Sequence, residues 1–317
     1  MTMLLVCFAV ASIQSVMAQT AKIILNHQGQ ATFFDSNRTS DALNAAVDGD
    51  TIYFNGGRFS GNITITKKVS LIGAGAEGSD QSIIDGSIIL SPNDGDSVMT
   101  ARLLDGLYVS GDVVLSKANK GVVIRKCCFD QFSCQALSDS TIIDRCVVGK
   151  AFVMSAYMKG VLLNNCAIKS IKGAAEKPGD VTFSNCNILT MDNSEAASTL
   201  CATYRNCILG PAMSTVYYDE RTEYIKCLVD YANELYKLSS SYSVGNCYSY
   251  AKSSLFNGYE CAISLDSFLG DDNTQVGMRG GDYPFSLAYV GPRITDYEYK
   301  VDSESRMVTI TLTVNNK

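Results

Sequence analysis

The chain has 317 residues, 46% of them hydrophobic and 18% charged, with 25 Gly and only 5 Pro; that is enough to bury a sizeable core in one large domain or two, and excludes a disordered chain. Twenty-six Lys and Arg stand against 32 Asp and Glu, and the net charge of −6 excludes the basic footprint of a nucleic-acid-binding protein and favours neutral or cationic partners. A single His (His27) and no Trp narrow the available chemistry, while 12 Cys ask for a structural explanation.

Residues 1–18 carry no charged side chain and hold an apolar run of about 11 residues, with small residues at Val16 and Ala18. The run is too short to span a membrane and reads as an export signal cut before Gln19, which implies a periplasmic, cell-surface or secreted protein. No later stretch approaches about 18 uninterrupted apolar residues, so no transmembrane segment is expected. Removing Cys7 leaves 11 cysteines, an odd number, so at least one stays unpaired in a monomer.

Residues 19–50 are expected to form an N-terminal strand and a cap helix. The stretch TSDALNAAV (39–47) places Ala42, Leu43, Ala46 and Val47 on one helical face, with Ser40 or Asp41 as N-cap. DGDTIYF (48–54) then reads as a turn and a strand, and residues 56–75 as two more alternating strands.

From there to residue 291 the chain repeats. Cys127, Cys146, Cys166, Cys186, Cys207, Cys227 and Cys247 are spaced by 19, 20, 20, 21, 20 and 20 residues. A disulfide framework has no reason to be so regular; a β-solenoid, one coil per repeat, does. Three residues before each Cys sits an apolar residue (Ile124, Ile143, Leu163, Phe183, Tyr204, Tyr224, Val244), and two after it mostly another (Phe129, Val148, Ile168, Ile188, Leu209, Val229, Ser249). Cys and the residue two on therefore face inward, and the varied position between them (Cys128, Val147, Ala167, Asn187, Ile208, Leu228, Tyr248) faces outward. The position just before Cys is Asn165, Asn185, Asn206 and Asn246, or Lys126, Arg145 and Lys226; Asn there suits a left-handed turn and a ladder of like neighbours one coil away. In-register parallel strands hold Cβ atoms near 4.8 Å apart, beyond the roughly 3.5–4.5 Å of a disulfide, so the ladder is expected to be buried free thiols. A linear column offers no tetrahedral metal site either.

Residues 292–317 read differently, as two alternating runs across a polar turn, a β-hairpin. Two strands alone are marginal in water, so the hairpin is expected to lie on the solenoid or to pair with a partner, its edge offering a weak homo-oligomer contact beside the plainer reading of a tail.

The block from the cap helix through GDTIYF, the Gly-Gly turn and NITITKKVSLIGAG (62–75), continued by coils of the Ile-x-Asn-Cys-x-Ile type, resembles the pectin lyase-like superfamily of right-handed parallel β-helices. Residues 271–281 (DDNTQVGMRGG) are similar to a closing Gly-rich turn of exported β-helix proteins common in Bacteroidetes-type bacteria, many without assigned activity. The resemblance implies an all-β, right-handed, single-stranded parallel β-helix of about ten coils, over residues 51–291. Its enzymes mostly act on acidic polysaccharides. The chain lacks the Asn-Thr-Asp/Asp-Asp/Gly-His-Gly set of the polygalacturonase type, the Asp-His or Arg-x-Pro-x-x-Arg of the pectate lyase type and the Gln-Asp-Thr-Leu of the pectin methylesterase type, so no catalytic residue carries over.

Two local clusters remain as candidates. Lys126, Asp144 and Arg145, and Asp219, Glu220 and Arg221, pair carboxylates with cations. Lys126 and Arg145 share a column about 5 Å apart, where an anion or Asp144 between them relieves their repulsion, which fits an acidic sugar; the plain alternative is a solvated turn with surface ion pairs. Tyr217, Tyr218, Tyr231, Tyr236 and Tyr248 belong to a Tyr-rich stretch whose rings suit stacking on sugars, or simply cover coil edges. The leading expectation is a carbohydrate-binding or structural protein without catalysis or cofactor. The alternative is a lyase or hydrolase of acidic polysaccharide, the only reading that calls for Ca²⁺.

Overall fold

The computed structural model describes residues 21–93, 99–100, 102–192, 201–210, 222–230, 243–245, 247–250, 255–288, 293–302 and 307–315. The expected export signal lies outside them.

The N-terminal end is closed by antiparallel strands and a helix. β1 (Lys22–His27) pairs with both β2 (Gln30–Asp35) and β3 (Thr51–Phe54), so two strands stand where one was expected. Gln28 and Gly29 turn the hairpin with φ of 49° and 86°, positive at both positions as a type I′ turn requires. β2 is the outermost strand and mostly exposed, which ends the sheet. α1 (Thr39–Ala45) lies across this end with Thr39, Ala42 and Ala46 buried. Its N-cap is Arg38, not Ser40 or Asp41, and Val47 is exposed: Arg38 Nε donates to Asp41 Oδ2 at 2.6 Å, which holds Asp41 inside the first turn. The Lys67 ammonium donates to the carbonyls of Leu43, Asn44 and Ala46 at 3.1, 2.8 and 2.7 Å, satisfying the end of the helix.

Beyond β3 the chain winds into a parallel β-helix of about eight turns, close to the ten expected, with Glu223–Ile225 and Ser243–Gly245 continuing one wall and Leu228–Asp230 and Tyr248–Tyr250 another. One wall stacks Val123–Arg125, Ile142–Asp144, Val161–Asn164, Val181–Ser184 and Thr203–Arg205 in register. A second stacks Cys128–Cys134, Val147–Met154, Ala167–Gly173 and Asn187–Met191. A third, shorter wall runs from Met99–Thr100 through Asn119–Lys120 and Ser138–Asp139 to Met158–Lys159.

The turn between the first two walls is one residue in the left-handed region. Lys126, Arg145, Asn165, Asn185, Asn206 and Lys226 have φ between 49° and 54°. Gly106 (φ 64°) holds the same place one coil earlier, since Asp105 pairs with Arg125, and Leu107 there stands where later coils have Cys. The left-handed residue turns the next amide away from the strand ladder, and sulfur receives it. The amides of Cys127 and Cys146 donate to the thiols of Cys146 and Cys166 at 3.4 and 3.5 Å, and that of Cys186 to Cys207 at 3.4 Å. The thiols donate onward to carbonyls, Cys166 to Ile143 at 3.3 Å and Cys207 to Phe183 at 3.4 Å. All seven ladder cysteines are unbridged, and burial pushes the Cys146, Cys186 and Cys227 thiols well above their ordinary range.

Aromatic rings fill the middle of the later coils. Phe183 stacks on Tyr204 at 5.1 Å and Tyr204 on Tyr224 at 5.2 Å, while Phe152 meets Phe183 edge-on at 5.5 Å.

Candidate functional site

Residues 255–288 return along the outside of the solenoid as a strap. Ile208 and Leu228 point outward from the second wall, as expected, yet are buried, because Leu255 and Val276 close over them with Phe256 and Phe268 packed alongside. Ala167 and Asn187 of the same column are buried too. Among the described residues the turn asparagines Asn165, Asn185 and Asn206 serve the strap and not one another. Asn165 Nδ2 donates to the carbonyls of Met278 and Gly280 at 3.0 and 2.6 Å, Asn185 to Asp272 at 3.3 Å, and Asn206 to Asp271 at 2.8 Å. The like-with-like Asn ladder is thus replaced by a side chain-to-strap ladder. Residues 271–281, expected to be a closing turn, are the centre of this strap.

Where Asn gives way to Lys126 and Arg145, the strap's last residues form a ledge with the first wall. Asp105, Arg125, Asp144 and Asn164 follow one another in register up that wall. Arg125 bonds Asp105 at 2.8 Å, Arg145 bonds Asp144 Oδ2 through Nε and an η nitrogen at 2.8 and 2.6 Å, and Asn164 donates to Asp144 Oδ1 at 3.3 Å. Lys126 Nζ donates to the Ala288 carbonyl at 3.0 Å. The Arg145 guanidinium sits 5.8 Å from the centre of the Tyr283 ring, a ring 65% exposed. Partial burial, then the neighbouring Arg145 charge, lowers the Lys126 pKa.

The structure therefore brings Lys126, Asp144 and Arg145 together and adds Asp105, Arg125, Asn164 and Tyr283. Register alone points to Arg125 and Asn164; Tyr283 has no periodic signal. Asp144 accepts from Arg145 on one oxygen and from Asn164 on the other, which equips it to hold both side chains in place. Among the described residues no three His, Cys, Asp or Glu side chains converge on a metal position. Tyr248 is half-buried, its ring edge-on to Phe268 at 5.3 Å and its hydroxyl on the Leu269 carbonyl, so it fastens the strap and is not a free platform. Asp219, Glu220, Arg221, Tyr217, Tyr218, Tyr231 and Tyr236 lie outside the described residues.

His27 ends β1 with its Nδ1 2.8 Å from the buried Asp50 carboxylate, which also accepts the Val47 amide at 2.8 Å; it belongs to the cap. A cavity of about 220 Å³ lies between strap and second wall, lined by Asn187, Glu260, Ser264, Asp266, Gln275 and Arg279 among others. Its charged groups have partners, Arg279 pairing with Glu260 at 2.6 Å and Asp266 accepting from the Ser264 hydroxyl at 2.8 Å.

The fold is that of a parallel β-helix. No family model, no curated protein and no solved structure matches the chain. No helix among the described residues is long and apolar enough to cross a membrane.

Proposed function

We propose that this is an exported β-helix protein that binds acidic carbohydrate on the ledge and catalyses nothing there. The observation that carries the reading is the exposed Tyr283 ring backed by Arg145, with Lys126 and Arg125 one coil away. A ring face offers a sugar an apolar platform. Arg125 and Arg145 already pair with Asp105 and Asp144, so the counter-charge that the ledge offers a carboxylate or sulfate beside the ring is that of Lys126, whose ammonium bonds the neutral Ala288 carbonyl. The net negative charge of the whole protein makes this patch local, so binding is expected to weaken with salt.

The test is binding of wild type, Tyr283→Ala and Lys126→Met to a panel of acidic and neutral polysaccharides, with the same mixtures assayed for unsaturated products and new reducing ends. Acidic polymers bind, each substitution weakens binding about tenfold, a loss near 1.4 kcal/mol, and no products form. Equal binding by all three proteins, or binding of neutral polymers alone, rejects the ledge. One observation favours a second reading, a polysaccharide lyase: the lowered pKa of Lys126 suits a proton-abstracting base. Unsaturated products that vanish in Lys126→Met would establish it instead.

A further inference from the structure

The hairpin of Arg293–Asp302 and Met307–Asn315 forms a two-stranded sheet of its own. Among the described residues neither strand pairs with a strand of the solenoid. Its register sets Val301 opposite Val308, Tyr299 opposite Ile310, Tyr297 opposite Leu312 and Ile294 opposite Val314. Strand alternation places these eight residues on one face, and the register shift between Ile294 and Asp296 keeps Ile294 with them. The other face takes Asp296, Glu298, Lys300 and Asp302 with Thr309, Thr311, Thr313 and Met307. One face is wholly apolar and the other polar but for one residue.

Such a ribbon does not hold in water by itself. Met307–Asn315 contains no charged residue and no Pro, so it has none of the devices that blunt a free edge. We propose that the apolar face is the contact through which two copies of the chain associate, ribbon on ribbon, about a two-fold axis. Self-pairing suits it because the face carries no charge to be desolvated or repelled, and a two-fold sets the same eight residues against themselves. The size also suits. Two tyrosines at about 150 Å² each and six aliphatic residues at roughly 80 Å² each offer about 800 Å² per copy, the area of a standard stable interface. Two ribbons stacked about 10 Å apart make a small sandwich with the polar faces outward.

The experiment is sedimentation of the full chain at micromolar concentration. Wild type sediments as a dimer. Ile310→Asp combined with Leu312→Asp sediments as a monomer with the wild-type circular dichroism, whereas Thr309→Asp combined with Thr311→Asp, on the opposite face, remains dimeric. If the apolar-face pair does not fold, the single Leu312→Asn is read the same way and raises the dimer dissociation constant about tenfold or more. A monomeric wild type overturns the proposal and points to a different occupant of the face, the solenoid or another protein. A dimer that survives in a folded apolar-face variant overturns it equally.

Discussion

Asn206 and Asp271 hold each other twice: Asn206 Nδ2 donates to Asp271 Oδ1 at 2.8 Å, and the Asp271 amide donates to Asn206 Oδ1 at 3.0 Å. The same Asn is the left-handed residue of its coil, with φ 54°. One side chain thus turns the solenoid and moors the strap. Asn206→Gly keeps the turn and loses the mooring, at about 1–2 kcal/mol; Asn206→Ala adds the left-handed strain, for about 2–4 kcal/mol in all. Urea denaturation of the two variants measures the gap. Equal losses would show that the backbone conformation costs nothing here.

The column of thiols makes a second prediction. Cys166 receives the Cys146 amide at 3.5 Å and donates to the Ile143 carbonyl at 3.3 Å, both buried. Cys166→Ala takes the sulfur acceptor from the buried Cys146 amide and opens a small void, for about 2–3 kcal/mol. Cys166→Ser, which keeps a donor and an acceptor, costs about half as much. Thiol titration adds an independent check: all seven ladder cysteines react in denaturant, and the six buried ones, Cys127 to Cys227, resist the reagent in the native protein. Missing thiols in denaturant would mean that the ladder is oxidised.

Burial also sets a pH dependence. Desolvation pushes the Cys128 and Cys134 thiols up to about 12. An unfolded thiol ionises near pH 9, so above that pH the unfolded state sheds protons that the folded state keeps. Stability is therefore whole below about pH 9 and falls as pH rises toward 12, each such thiol contributing a slope of about 1.4 kcal/mol per pH unit. The buried Tyr204, also raised, joins at the upper end of the window. Urea midpoints taken in reductant from neutral pH to about pH 11 test this, and a flat profile rejects it.

Much of the architecture was legible because a solenoid writes its contacts at one fixed spacing. Cys127 to Cys247 marked the coils, and the Asn, Lys and Arg that precede the first six of these cysteines all have φ near 50°. The coil of Asp105, Gly106 and Leu107 escaped notice because Gly holds its turn and Leu its inner position. The strap escaped for a deeper reason. Its bonds join Asn165 to Gly280 and Lys126 to Ala288, aperiodic pairs far apart in sequence, so nothing local signals them. One trace was present: the outward column turns apolar at Ile208 and Leu228, where a strand facing water would not. For the ledge, Lys126, Asp144 and Arg145 could be grouped from coil spacing, whereas Tyr283 arrives with the strap.

Gly280 tests whether the strap is a separate cooperative unit. A Cβ there would lie 1.8 Å from the Gln275 carbonyl oxygen, closer than any relaxation of a side chain can relieve, because the obstacle is backbone. Its own carbonyl accepts from Asn165, and the next residue, Gly281, needs φ 74°. Gly280→Ala must therefore open the turn around 274–281 and release the strap there, at about 2–4 kcal/mol. The solenoid's amide ladder does not pass through this turn. Hydrogen exchange should accelerate across residues 255–288, while the amides of Ile142–Asp144 and Val161–Asn164 keep their protection. If those strands lost protection to the same extent, the strap would be an integral part of the coil stack, and binding at the ledge could not be separated from folding of the whole.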